Sequence, residues 1–134
     1  MNADKILIDT SVWIEYFRNR SSSVSNEVDE ILSKKEVYVP KIVIAELIQG
    51  AKSERDVSII RDFLEAFKII DQTEDTWLKA GDLSFNLKKK GKNVNLTDCY
   101  IAVMAQENGC QIFTLDEHFK DIQKSLDLDL IETH

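Results

Sequence analysis

Four carboxylates in this chain stand where folding could gather them: Asp9, Glu46, Asp98 and Asp116. Asp9 ends the apolar run Ile6-Leu7-Ile8, and Asp116 ends Ile112-Phe113-Thr114-Leu115. Glu46 and Asp98 each interrupt an otherwise apolar helical stretch. Carboxylates this close to a core repel one another and lose hydration. They need a cation, protons or separation to be tolerated. A hard divalent cation resolves the conflict, and carboxylate-held metal is what phosphodiester hydrolysis uses.

The elements that must position these acids alternate along the chain. Lys5 to Ile8 predicts a short strand buried on both faces. A helix is expected from about Val12 to Arg18, with Trp13 and Phe17 spaced i, i+4. Val24, Val28, Ile31 and Leu32 form a helical stripe. Glu36 to Val39 predicts a second strand, with Pro40 at the first position of a helix that Gly50 stops. Ile60, Phe63, Leu64 and Phe67 mark a further helix, and Lys68 to Asp71 a third strand. A long helix then turns Trp77, Ala80, Leu83 and Leu87 inward, capped by Asp71 or Thr73 and ended by Gly91. Asn95 is the expected N-cap of a helix from Leu96 to Asn108, with Gly109 as its stop. Gln111 to Leu115 predicts a fourth strand. Leu126, Leu128 and Leu130 alternate with Asp127 and Asp129 as an edge strand would. Strands separated by helices make an α/β sheet, mostly parallel, with helices on both faces. Ligands of such sheets bind beyond the carboxyl ends of the strands, where Asp9 and Asp116 lie.

The whole-chain properties narrow the class. One domain over residues 1–134 is expected, long enough to bury a core without staples. Hydrophobic residues at 43% and charged residues at 31% exclude a disordered chain. The net charge of −7 argues against a nucleic-acid binder on charge alone. Four of the 24 acids belong to the candidate site, which weakens that objection. Cys99 and Cys110 lack metal-ligand spacing and read as reduced packing residues of a cytoplasmic protein. The start Met1-Asn2-Ala3-Asp4-Lys5 lacks a signal-peptide pattern, and no apolar run spans a membrane.

Each acid also has an ordinary role open to it. Asp9 can cap the helix that follows, although Thr10 or Ser11 could do so instead. Glu46 can sit on an exposed helix face. Asp98, third in its helix, suits the macrodipole. Asp116 can cap a turn. Jointly they fit a one-metal or two-metal pocket. Mg²⁺ takes one or two carboxylates directly, so the other acids would hold its waters, and Mn²⁺ suits the same oxygens.

The segments around these acids resemble the PIN-domain family, and within it the VapC-type ribonuclease toxins of toxin–antitoxin pairs. The segment from Leu7 to Arg18 is similar to the family's opening motif. Ile44-Ala45-Glu46-Leu47 with Gly50 is similar to the second, and Leu96-Thr97-Asp98 with Ile101-Ala102 to the third. Thr114-Leu115-Asp116-Glu117-His118-Phe119 is similar to the fourth. The resemblance implies a three-layer α/β/α sandwich with about five strands. It implies a Mg²⁺-dependent endoribonuclease with Asp9, Glu46, Asp98 and Asp116 as metal-site acids, and accessory roles for Ser11 and Thr114. It further implies a homodimer inhibited by a small VapB-type antitoxin. The segment before Asp98 lacks the extra acid some relatives carry. No motif assigns a role to His118 or His134, so a histidine-pair ribonuclease mechanism is not expected.

For RNA contact, Lys88, Lys89, Lys90 and Lys92 precede the Asp98 helix and could track a phosphate backbone; a solvated helix end is the ordinary reading. Arg18 and Arg20 form a second edge. Other chemistries fit less well. A receiver domain needs an acidic pair near its first strand, and only Asp9 is there. A haloacid-dehalogenase-type phosphatase needs Asp-x-Asp, and Ser11 holds the second place. A flap-type DNA nuclease usually carries more acids and helical extensions. A non-catalytic RNA- or protein-binding module of the same fold remains the alternative of another class.

Overall fold

A computed structural model describes residues 2–131; Met1 and His134 lie outside them. Four strands form one parallel sheet: β1 (Asn2–Ile8), β2 (Glu36–Pro40), β3 (Lys68–Ile70) and β4 (Cys110–Phe113), in the order β3-β2-β1-β4. Ile6, Leu7 and Ile8 are fully buried, as expected of a central strand covered on both faces.

Seven helices connect and follow the strands among the described residues. They are α1 (Thr10–Arg18), α2 (Ser23–Lys34), α3 (Lys41–Gln49), α4 (Glu54–Leu64), α5 (Thr76–Lys89), α6 (Leu96–Asn108) and α7 (His118–Gln123). Strand-to-strand crossovers are right-handed. The chain steps from β1 to β2 to β3 in one direction, then back across to β4. That reversal puts α1 to α4 on one face and α5 and α6 on the other. The packing agrees: α1 touches α2 and α3, α3 touches α4, and α6 touches α5 and α7. The direction of winding switches between β1 and β4, which is where such sheets open a crevice.

Several expectations are corrected. The sheet has four strands, not about five. Leu130 makes a single parallel bridge to Ile112. Two bonds make that bridge: the Ile112 N–H donates to the Asp129 carbonyl at 2.9 Å, and the Ile131 N–H donates to the Ile112 carbonyl at 2.8 Å. Pro40 ends β2 and caps α3 rather than opening it. Trp77 is 41% exposed rather than inward. It lies over Tyr100, with ring centroids 4.2 Å apart, and its indole N–H donates to Gln72. The α6 bounds agree with expectation: Asn95 Oδ1 accepts from the Asp98 amide at 2.8 Å, and Gly109 takes φ 69° at the C-terminus, a conformation glycine adopts at no steric cost.

Candidate metal centre

The switch point collects all four predicted acids. Asp9 follows β1 directly, and its amide donates to the Phe113 carbonyl at 2.9 Å, which locks the ends of β1 and β4 together. Asp9 holds the N-cap position of α1, but its side chain makes no capping bond. Its carboxylate turns to two hydroxyls instead. Thr114 Oγ1 donates to Asp9 Oδ2 at 2.7 Å and Ser11 Oγ donates to the same oxygen at 2.9 Å. Each hydroxyl then accepts a backbone N–H from the turn after β4. Leu115 donates to Ser11 at 3.0 Å, and Asp116 donates to Thr114 at 3.0 Å. Ser11 and Thr114 therefore couple Asp9 to the segment that carries Asp116.

Asp98 arrives from the opposite face. Because Asn95 takes the capping role, the Asp98 carboxylate is left to face inward from the first turn of α6. It is 9% exposed, and its Oδ2 is buried without a hydrogen-bond partner. Glu46 comes from the third helix, where Thr10 Oγ1 donates to its Oε1 at 2.9 Å. The sequence offers Thr10 only as a helix cap; its bond to Glu46 needs the fold, which brings the two residues together from 36 positions apart. Asp116 Oδ1 accepts from the His118 amide at 2.9 Å, so Asp116 fills the predicted turn-capping role while facing Asp98.

The acids perturb one another strongly. Burial first, then the charges of Asp116 and Asp9, raise the Asp98 pKa to about 7, and the charge of Glu46 adds to this. Burial raises the Asp9 pKa, opposed by the hydroxyls of Thr114 and Ser11. Burial also raises Glu46, opposed by Thr10 and aided by the charge of Asp9. Native proteins rarely leave a buried carboxylate oxygen orphaned. An orphaned oxygen beside two or three further acids fits a divalent cation, which would supply the missing partner and relieve the repulsion. Asp98, Asp116 and His118 each place one ligand atom within 4.8 Å of the others. His118 was given no role from sequence, because nothing in its spacing shows which way an exposed side chain turns.

The predicted RNA contacts divide. Thr76 at the start of α5 donates to Glu107 near the end of α6, so the two helices run antiparallel. Lys88 to Lys92 consequently lie at the Asp98 end. Within that group Lys90 donates to Ser125 Oγ at 3.1 Å and Lys92 approaches Asp121 at 3.7 Å. Arg18 pairs with Glu15 at 3.0 Å and sits at the far end of α1, about 13 Å along the helix from Asp9. A groove of about 470 Å³ opens beside Asp116, lined also by Leu115, Lys120 and Lys124.

Comparison with known proteins agrees with this architecture. Residues 6–125 match the family model described as PIN domain. Ribonuclease VapC2 of Haemophilus influenzae is 28% identical over 78% of this chain and 81% of its own length. Ribonuclease VapC11 of Mycobacterium tuberculosis is 28% identical over 92% of this chain and 95% of its own. Among solved structures, VapBC2 from Rickettsia felis bound to a promoter DNA fragment superposes with a TM-score of 0.78. It is 23% identical and covers 95% of this chain and 97% of that one. VapBC-1 from nontypeable Haemophilus influenzae gives 0.76 at 24% identity, covering 96% and 97%. With its parallel sheet, its switch-point acids and a family match over most of its length, this chain belongs to the PIN-domain family.

Proposed function

We propose that the protein is a Mg²⁺- or Mn²⁺-dependent endoribonuclease, the toxin of a type II toxin–antitoxin pair. The observation that carries this reading is the buried, unpartnered Asp98 oxygen facing Asp116, Asp9 and Glu46. Relatives named as VapC ribonucleases and neighbours solved as VapBC complexes support the class of reaction and of partner.

A divalent cation bound there would polarise a phosphate oxygen and make a bound water acidic near neutral pH. Asp98 and Asp116 would hold the cation, and Asp9 and Glu46 would orient its waters. The hydroxyls of Ser11 and Thr114 keep Asp9 in place. Glu46, whose proton affinity burial and the Asp9 charge increase, accepts the proton of the attacking water. In-line attack would form the bond from water oxygen to phosphorus and break the bond to the 3′ oxygen, which would take a proton from solvent; the ends would be 5′-phosphate and 3′-hydroxyl, without use of the 2′-hydroxyl. Lys88, Lys89, Lys90 and Lys92 grip the RNA backbone at the Asp98 end.

The partner is a VapB-type antitoxin, and the active assembly is a homodimer in the cytoplasm. Leu78 and Phe85, 70% and 61% exposed and seven residues apart on α5, supply apolar surface for such an assembly. Among the described residues no helix is long and apolar enough to cross a membrane.

The test is cleavage of RNA with Mg²⁺ or Mn²⁺, with EDTA, and with Asp9→Asn and Asp98→Asn. EDTA and either substitution should reduce the rate by roughly a thousandfold, about 4 kcal/mol of transition-state stabilisation, with the fold intact. Equal cleavage by wild type and both variants would overturn the assignment.

A further inference from the structure

His118 opens α7 beside the acidic pair. Its backbone N–H donates to Asp116 Oδ1 at 2.9 Å, and its imidazole Nδ1 lies 3.3 Å from the same oxygen. A ring nitrogen and one oxygen each of Asp98 and Asp116 thus lie within 4.8 Å of one another. Donors around a single ion at roughly 2.1 Å stand at most about 4.2 Å apart. Adjacent donors stand only about 3 Å apart, so the exposed ring must swing in and the widest pair close by up to about 1.8 Å to complete the set. The side chain of His118 is 52% exposed, so the ring has room to move. The unpartnered Asp98 oxygen marks the place a cation would occupy.

We propose that His118 is a nitrogen ligand to the ion held by Asp98 and Asp116, and that it biases this site toward transition-metal ions over Mg²⁺. The inference rests on the metal-dependent reading above and deepens it. Mg²⁺ keeps its waters and takes oxygen donors. Imidazole instead favours first-row transition ions, and Mn²⁺ is the weakest binder of that series. Mn²⁺ therefore sets a lower bound on the preference. The other acids, Asp9 and Glu46, supply only oxygen and do not discriminate in this way.

The experiment uses the full chain with Mn²⁺ as probe. Electron spin echo envelope modulation should show a directly bound nitrogen in the wild type, and that coupling should vanish in His118→Ala and in His118→Gln. Competition between Mn²⁺ and Mg²⁺ should show the Mn²⁺ preference falling about tenfold in either variant. Bound Mn²⁺ without nitrogen coupling, or coupling that persists in both variants, would overturn the role of His118 and leave the acidic site standing. A wild type that binds no Mn²⁺ would overturn the metal-dependent function as well.

Discussion

Helix α1 joins two regions built on opposite principles. Its middle feeds an aromatic cluster in which Trp13, Tyr16 and Phe17 pack against Phe63 and Phe67, with ring centroids 5.5–6.2 Å apart. Trp13 and Tyr16 are almost wholly buried. Tyr16 keeps its hydroxyl satisfied by donating to Asp29 and accepting from Arg20, both at 2.6 Å. One turn earlier the same helix presents Asp9, Thr10 and Ser11 to the acidic pocket. There burial works against the charged side chains, and at least one oxygen has no partner. The first region supplies stability through apolar area and edge-to-face rings. The second consumes stability for the sake of a preorganised charge.

Breaking the stabilising half should give the largest change in folding. Trp13→Ala removes the centre of the aromatic cluster and should cost about 3–5 kcal/mol, read by urea unfolding. A loss under 1 kcal/mol would show that the cluster does not bear on stability. Relieving the strained half should have a smaller effect of opposite sign. Because the folded Asp98 pKa is about 7 against 3.8 for the unfolded chain, the native state holds a proton between those values that the unfolded state has released. Stability of the metal-free protein should therefore fall as pH rises from about 4 to about 7, then level off. In EDTA the melting temperature at pH 7.5 should lie several degrees below that at pH 5. Asp98→Asn should flatten this slope and melt higher at pH 7.5. A wild type that gains stability across the same interval would contradict the repulsive pocket.

The sequence made the acids readable because each violates a local pattern. Asp98 shares a helix face with Ile101, Ala102 and Ala105, all buried, and so had to point inward. Asp9 ends a strand whose neighbours are buried on both sides, which sets its place at the sheet's carboxyl edge. What stayed hidden depends on partners far along the chain. Thr10 meets Glu46 only because α1 packs on α3. The expected fifth strand shrinks to one bridge at Leu130, because only Asp129 and Ile131 reach Ile112. Trp77 reads as a core residue by spacing, yet the α5–α6 contact gives it a partly exposed seat over Tyr100. His118 lies in a recognisable segment, but its direction is set by the turn that Asp116 closes.

The most direct test is anomalous diffraction from crystals of the protein soaked in Mn²⁺. A single strong peak should sit between Asp98 and Asp116, roughly 2.1 Å from a carboxylate oxygen of each and on the side facing Asp9. A crystal that takes up Mn²⁺ only elsewhere, or shows the pocket empty at saturating ion, would contradict the account.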